Sequence, residues 1–352
     1  MSTYQEPIYS HNAESLAAYA ALCEEAGLDA EQHFDYLLGL YDSDRKLLAA
    51  GGLVGNTLRG LVAESSHRGE GLMAQLVSGL INYQAGRGVF RLFLYGKKIY
   101  EQLYHSLGFY KLAEAGGKMV FMENSPSAFR DFLEHLREKS FAYIEAAGWQ
   151  SRLKAAEREG SAGIVMNANP FSLGHLALAR HALDLKPLVH LFILEEDLSL
   201  FSFAERWAMA QAACRDLEGV ILHKSSSYLI SQASFPSYFL KSLDEAALLQ
   251  AEIDAHVFLK IAEALGINER FLGSEPASEL TRAYNALLER ELLAGGIKVD
   301  IMERVGDASH PFYSASLIRD LLAEGNLTEA KKLVPASGWP YLEAKLPVPP
   351  IA

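Results

Sequence analysis

At 352 residues the chain exceeds what one hydrophobic core usually organises, so two domains are expected. Half of its residues are hydrophobic and 22% are charged, which excludes a disordered chain, and a formal net charge of −12 argues against nucleic acid as a partner. Two isolated cysteines, Cys23 and Cys214, exclude a disulfide framework or a thiolate metal cluster, and the absence of a basic, then apolar leader or of an apolar run near ~20 residues points to the cytoplasm and to no membrane partner.

In chain order, Leu16, Tyr19, Ala20, Leu22 and Cys23 recur at three- and four-residue spacing and predict a helix over Glu14–Ala26, ended by Gly27. The apolar runs Tyr36–Tyr41 and Leu47–Val54, parted by Asp42-Ser43-Asp44-Arg45-Lys46, predict a hairpin, and Thr57–Val62 a third strand. After the polar stretch Glu64–Gly71 comes a helix with Leu72, Leu76, Leu80 and Ile81 on one side. Phe90–Tyr95 reads as a strand, Ile99–Leu107 as a helix and Met119–Met122 as a closing strand. Rising charge with helical periodicity over Ser127–Glu159 marks linker helices.

Beyond the linker, Gly163–Met166, Leu188–Leu194, Val220–Leu222 and Arg270–Leu272 are apolar runs of strand length. Helical patterns at Gly174–Leu185, Phe203–Arg215, Asp244–Leu265 and Leu280–Ala294 lie between or after them. This alternation predicts parallel pairing in a doubly wound sheet covered on both faces. The fold class is therefore α/β, with domains at residues 1–125 and 161–340, a helical linker at 126–160 and a tail at 341–352.

In such a sheet ligands bind beyond the carboxyl ends of the strands, where Asn169-Pro170-Phe171-Ser172-Leu173-Gly174-His175 follows the first apolar run. Pro170 disfavours helix before it, Ser172 can cap the coming helix, Gly174 admits a close backbone approach to phosphate, and His175 falls in the first turn, where it can donate to a phosphate oxygen. Near the end of the domain, Tyr313-Ser314-Ala315-Ser316-Leu317-Ile318-Arg319 places hydroxyls at a helix start with an arginine one turn later, a set that can hold two phosphates. Each motif alone is equally an ordinary capped helix. Together they resemble the paired signatures of the HxGH nucleotidyltransferase superfamily. Between them, Phe271-Leu272-Gly273-Ser274-Glu275-Pro276 leaves an apolar run for a turn that could accept adenine or ribose hydroxyls.

The longer strings Ile164–His175, Tyr228–Lys241 and Gly273–Pro276 resemble the carboxy-terminal domain of the citrate lyase ligase family over about residues 161–340. The resemblance implies a Rossmann-like nucleotidyltransferase domain in which His175 is catalytic and Asn167, Ser172, Gly174, His175, Ser274, Glu275, Ser314, Ser316 and Arg319 bind ATP with Mg2+. The chain departs from the family pattern with Ser172 where threonine is usual, Glu195 where lysine is usual and Leu200 where arginine is usual. Arg206 or Lys224 is then the candidate to restore the lost positive charge. In the first domain, Arg68-Gly69-Glu70-Gly71-Leu72 before a helix resembles the pyrophosphate loop of GNAT acetyltransferases, and Tyr104-His105-Ser106-Leu107-Gly108-Phe109 their Tyr-x-x-x-Gly-Phe element. This implies a GNAT-like α+β domain in which Arg68, Gly69, Gly71 and Tyr104 bind a coenzyme A-like arm, Tyr104 being either a general acid or a core residue.

The activity so implied is ATP-dependent acetylation, through an acetyl-adenylate, of the thiol on the phosphoribosyl dephospho-coenzyme A group of the citrate lyase acyl carrier subunit, with acetate as second substrate. Two alternatives stay open: a nucleotidyltransferase and acetyltransferase fusion acting on free metabolites, and a non-catalytic relative that binds citrate lyase. Of the other histidines, His11, His33, His181, His190, His223 and His256 lack partners at metal-ligand spacing and read as surface or satisfied core.

Overall fold

Local sequence chemistry sets the element ends. Asn12 caps the first helix by accepting from the Ser15 amide at 3.1 Å, and Gly27, at φ +67°, reverses the chain so that Leu28 N–H reaches Cys23 O at 2.8 Å. In the hairpin that follows, the Asp42 carboxylate accepts from the amides of Asp44 and Lys46 at 2.9 Å each, which fixes the turn the polar run predicts. A computed structural model describes residues 3–31, 33–67, 71–195, 199–229, 243–274 and 279–345. The chain divides into two units, Met1–Asp131 with Phe235–His256, and Phe132–Ser234 with Val257–Ala352.

The first unit runs β1 (Tyr4–Pro7), α1 (Ala13–Glu25), β2 (Tyr36–Tyr41), β3 (Leu47–Val54), β4 (Thr57–Ala63), α2 (Leu72–Gly86), β5 (Phe93–Lys97), α3 (Glu101–Ser106), β6 (Tyr110–Ala115) and β7 (Met119–Glu123). The sheet order is β1-β2-β3-β4-β5-β7-β6, antiparallel except where β4 meets β5. That parallel pair is joined only at Thr57↔Phe93 and Leu58↔Leu94. Leu72, Leu76, Val77 and Leu80 of α2 are buried with Leu38, Leu48 and Leu94 of the strands, as the one-sided pattern of the helix requires. This is the order of helices and strands read from the sequence, with β1 and β6 added at the two edges. The strand expected from Phe90 begins at Phe93, because Phe90 is 72% exposed and precedes the pairing.

Two helices, α4 (Ala128–Ala146) and α5 (Gln150–Glu159), lead into β8 (Ser161–Met166). Then follow α6 (Leu173–Leu185), β9 (Val189–Ile193), α7 (Phe203–Cys214), β10 (Val220–Lys224), α8 (Leu243–Leu265), β11 (Ile267–Gly273), α9 (Glu279–Ala294), β12 (Lys298–Met302) and α10 (Ala315–Ala323). All five strands pair in parallel in the order β10-β9-β8-β11-β12, the doubly wound arrangement expected. Strands buried on both faces read as continuous apolar runs, and every residue of β9 is buried. Cys23 and Cys214 are free and buried, which pushes their thiols up to about 11 and about 12. No helix among the described residues is long and apolar enough to cross a membrane.

Candidate functional site

The sheet of the second unit changes direction at β8, which has β9 on one side and β11 on the other, and the segment leaving its carboxyl end is where ligands of such sheets bind. That segment contains a cis Asn169-Pro170 peptide and Ala168 at φ +53°, a left-handed conformation that costs an alanine about 1–2 kcal/mol. The surrounding structure fixes it. Asn169 Oδ1 accepts from the Phe201 amide at 3.1 Å, and Arg206 donates from Nη1 to the carbonyls of Asn167 at 2.7 Å and Leu194 at 2.8 Å and from Nε to Phe201 at 3.1 Å. Asn167 itself donates from Nδ2 to Ser199 Oγ at 3.3 Å. Arg206 is fully enclosed and faces protein carbonyls, which corrects the expectation that it restores charge to a phosphate site. Lys224 carries its ammonium over the rings of Phe203 and Trp207 at 5.4 and 5.7 Å. At the departures from the family pattern, the Glu195 carboxylate accepts from the Ser226 amide at 2.6 Å, and Leu200 is exposed.

Ser172 caps α6 as its position predicts, and the cap is reciprocal. Its hydroxyl accepts from the His175 amide at 3.3 Å, while His175 Nδ1 accepts from the Ser172 amide at 3.0 Å. A ring nitrogen that faces a backbone N–H must be the unprotonated one, so the neutral imidazole carries its proton on Nε2. Burial, aided by the Arg304 guanidinium, pulls His175 from its ordinary value of 6.5 down to about 4, which keeps the ring neutral at neutral pH. Nε2 has no hydrogen-bond partner among the described residues and is the donor this helix start offers. Leu173 N–H is taken by Leu333 O at 2.9 Å, and the Gly174 N–H has no such partner among the described residues.

The second motif comes to the same turn. Ser314 caps α10, its hydroxyl accepting from the amides of Ser316 and Leu317 at 3.2 and 3.4 Å. Ser172 Oγ donates to Tyr313 O at 3.3 Å. Arg319 donates from Nη1 to Asn169 O at 2.6 Å and from Nη2 to Ser316 Oγ at 3.1 Å. A Cβ on Gly174 would stand 2.7 Å from Tyr313 O, so the close approach this glycine accommodates is that of the second motif's backbone. Ser274, just after β11, accepts from the Arg304 amide on its hydroxyl at 3.2 Å and from Arg304 Nε on its carbonyl at 2.9 Å.

Arg304 is the residue that sequence reasoning missed. It follows β12 at the same carboxyl edge, and the signal available was an arginine two residues past a strand that the sequence reading did not find. Among the described residues no group of three His, Cys, Asp or Glu side chains is set to hold a metal ion. Glu275 lies outside the described residues, as does the string Tyr228–Lys241 apart from Tyr228 and Leu229.

In the first unit, Arg68 and Gly69 lie outside the described residues, and Gly71 stands at φ +77° as the residue before α2, with open space where a Cβ would be. Tyr104 is 1% exposed, and its ring fills the space above Gly96, where a Cβ would come within 2.4 Å. Burial pushes its hydroxyl well above the ordinary value of 10. It sits as a core tyrosine.

The family described as citrate lyase ligase C-terminal domain matches residues 161–342. The chain is 34% identical over 339 residues to the [citrate [pro-3S]-lyase] ligase of Haemophilus influenzae, covering 94% of this chain and 96% of that protein. It is 36% identical over 306 residues to the enzyme of the same name from Escherichia coli, covering 85% of this chain and 82% of that one. The Klebsiella pneumoniae enzyme of that name is 34% identical over 305 residues, 85% of this chain and 84% of that one.

Proposed function

This chain belongs to the citrate lyase ligase family, and on that premise we propose that it is an AMP-forming acid–thiol ligase that acetylates the prosthetic thiol of citrate lyase with acetate and ATP. A carboxylate becomes an acylating agent only when one of its oxygens is made a good leaving group. In the first step an acetate oxygen attacks the α-phosphorus of ATP, the bond to the bridging oxygen of the β-phosphate breaks, and acetyl-AMP and pyrophosphate form. In the second, the thiol sulfur attacks the acetyl carbon, loses its proton, and AMP leaves.

The residues divide the work by position. His175 Nε2–H and the Gly174 amide donate to the α-phosphoryl oxygens as charge builds on them, while Ser172 holds the imidazole in its donating tautomer. Ser314, Ser316 and Arg319 hold the outer phosphates, and Arg304 adds positive charge beside His175. Asn167, Ser274 and Glu275 belong to the nucleotide's surroundings on this reading, and Mg2+ arrives with ATP as part of the substrate. The observation that carries the reading is the meeting of the two motifs: Arg319 on the Asn169 carbonyl and Ser172 on the Tyr313 carbonyl join two segments about 150 residues apart into one turn.

The first unit, on the same reading, receives the phosphoribosyl dephospho-coenzyme A arm of the acyl carrier subunit. Support comes from Gly71, whose left-handed backbone turns the chain into α2 with no side-chain cap on the helix amides. Arg68 and Gly69, outside the described residues, are assigned to the same arm on this reading. The deciding assay is acetate-dependent AMP formation with thiol-form citrate lyase as acceptor. Turnover by the native chain and its loss in His175→Ala are expected; native turnover in that variant removes His175 from the mechanism.

A further inference from the structure

At the end of the second unit's strands opposite to the two motifs, a cavity of about 190 Å³ lies where β8, β9 and β11 begin and α4 and α5 cover them. Ile144, Ala156 and Leu188 give it apolar walls, all buried. Three buried polar side chains interrupt that lining: Ser140, whose hydroxyl donates to Leu136 O at 2.8 Å, and Ser161 and His190, each 2% exposed. His190 Nδ1 lies 3.0 Å from His223 Nε2, which leaves His190 Nε2 without a hydrogen-bond partner among the described residues. The Ser161 hydroxyl likewise has no hydrogen-bond partner among the described residues, while its amide donates to Gly266 O at 2.9 Å.

Neither atom is among the fully enclosed unpartnered polar atoms of the described residues, so both open onto the cavity and are free to bond its occupant. Water is a poor occupant here. The volume corresponds to about six waters of liquid, each needing two to four partners, and the lining's polar side chains, Ser140, Ser161 and His190 with Arg137 and Glu157 at the mouth, are too few for that number. An organic molecule with an apolar body and one oxygen at its buried end meets both requirements. At the mouth Arg137 and Glu157 stand exposed with opposite charges, so the entrance favours neither sign.

We propose that this cavity is a second small-molecule site, taking a neutral, largely apolar molecule whose single hydroxyl or carbonyl oxygen hydrogen-bonds to Ser161 and His190. The site is independent of the ligase reading, because it shares no residue with the nucleotide edge. Phenol and toluene, alike in shape and different in the oxygen, are the probes, added to the full chain and followed by ligand-observed saturation transfer and by thermal shift. Phenol is expected to bind at least threefold more tightly than toluene, and saturating ATP to leave its affinity unchanged. Ser161→Ala should bring phenol down to the affinity of toluene, and Ala156→Phe, which fills the cavity, should abolish both. Equal binding of the two probes, phenol affinity that survives both variants, competition by ATP, or no binding of phenol at all overturns the proposal. Ser161→Ala removes one oxygen and leaves the walls in place, so the test stands even if the filled variant fails to fold.

Discussion

Two helix starts in this molecule look alike in sequence and are built in opposite ways. Before α2 the chain turns at Gly71 in the left-handed region, and among the described residues no side chain caps the helix and nothing lies where a Cβ of that glycine would be. Before α6 the amides of Leu173 and His175 are taken, by Leu333 O and the Ser172 hydroxyl, and Tyr313 O stands where a Gly174 Cβ would be, while the Gly174 amide has no partner among the described residues. A glycine near a helix start thus marks an open turn in one case and a close-packed junction in the other. The second kind gives up amides and gains a fixed donor, the neutral imidazole, whose Nε2–H is aimed by the cap itself.

The comparison breaks first at His175. His175→Ala deletes the aimed donor, and acetate-dependent ATP–pyrophosphate exchange should fall about 100- to 1,000-fold, the loss typical of one preorganised donor to a developing oxyanion. His175→Gln offers a donor but no reciprocal cap and should recover only part of this; full recovery would mean that tautomer control is irrelevant. Gly174→Ala tests the packed junction, because its Cβ must displace the Tyr313 carbonyl from 2.7 Å. Overpacking of that kind costs about 1–3 kcal/mol, and exchange should drop about tenfold with a lower melting temperature, whereas an unchanged variant would show that the two motifs are not locked together. Gly71→Val probes the open junction, where the strain of φ +77° and a branched side chain act on the turn. The KM for the carrier should rise several-fold with exchange intact, and loss of both activities together would sink the division of labour between the units.

How much of this was legible in the sequence follows from burial. Helices and central strands carry their periodicity openly, and those were found within a few residues, including Leu243–Leu265 and Val189–Ile193. The strands missed were β1, β6 and β12, and all three are sheet edges. An edge strand packs less of itself into a core, so its residues need not be apolar: Lys298-Val299-Asp300-Ile301-Met302 contains no buried residue, and Tyr4-Gln5-Glu6-Pro7 none either. Missing β12 also hid Arg304. The Ser172 cap and the position of His175 in the first turn were readable because capping is a local code. The role of Arg206 was not, since a cation seen in sequence carries no sign of whether it meets phosphate or, as here, three backbone carbonyls.

The smallest expected effect is an absence of change on the acid side, and it sharpens the contrast most. In the capped junction His175 Nδ1 accepts a backbone N–H, so protonating the ring breaks the cap; burial and then Arg304 hold it at about 4 against an ordinary 6.5. Exchange should therefore show no acid limb from this group between pH 7 and about 5, and an NMR titration of the His175 ring should follow the same course. An apparent pKa near 6.5 would mean that the cap is not formed in solution. The sign for stability is the reverse of a histidine that gains a carboxylate: a depressed folded-state pKa contributes stability that is present above 6.5 and lost as pH falls towards 4. His190, near the start of β9 and also near 4, and His223 of β10, lowered by burial and by His190, act in the same direction. Replacing both by leucine should flatten part of the fall in melting temperature across that window without moving the His175 titration. Arg304→Met should do the converse, raising the His175 value part of the way back to 6.5 while leaving the slope from the buried pair in place, which separates the capped histidine from that pair.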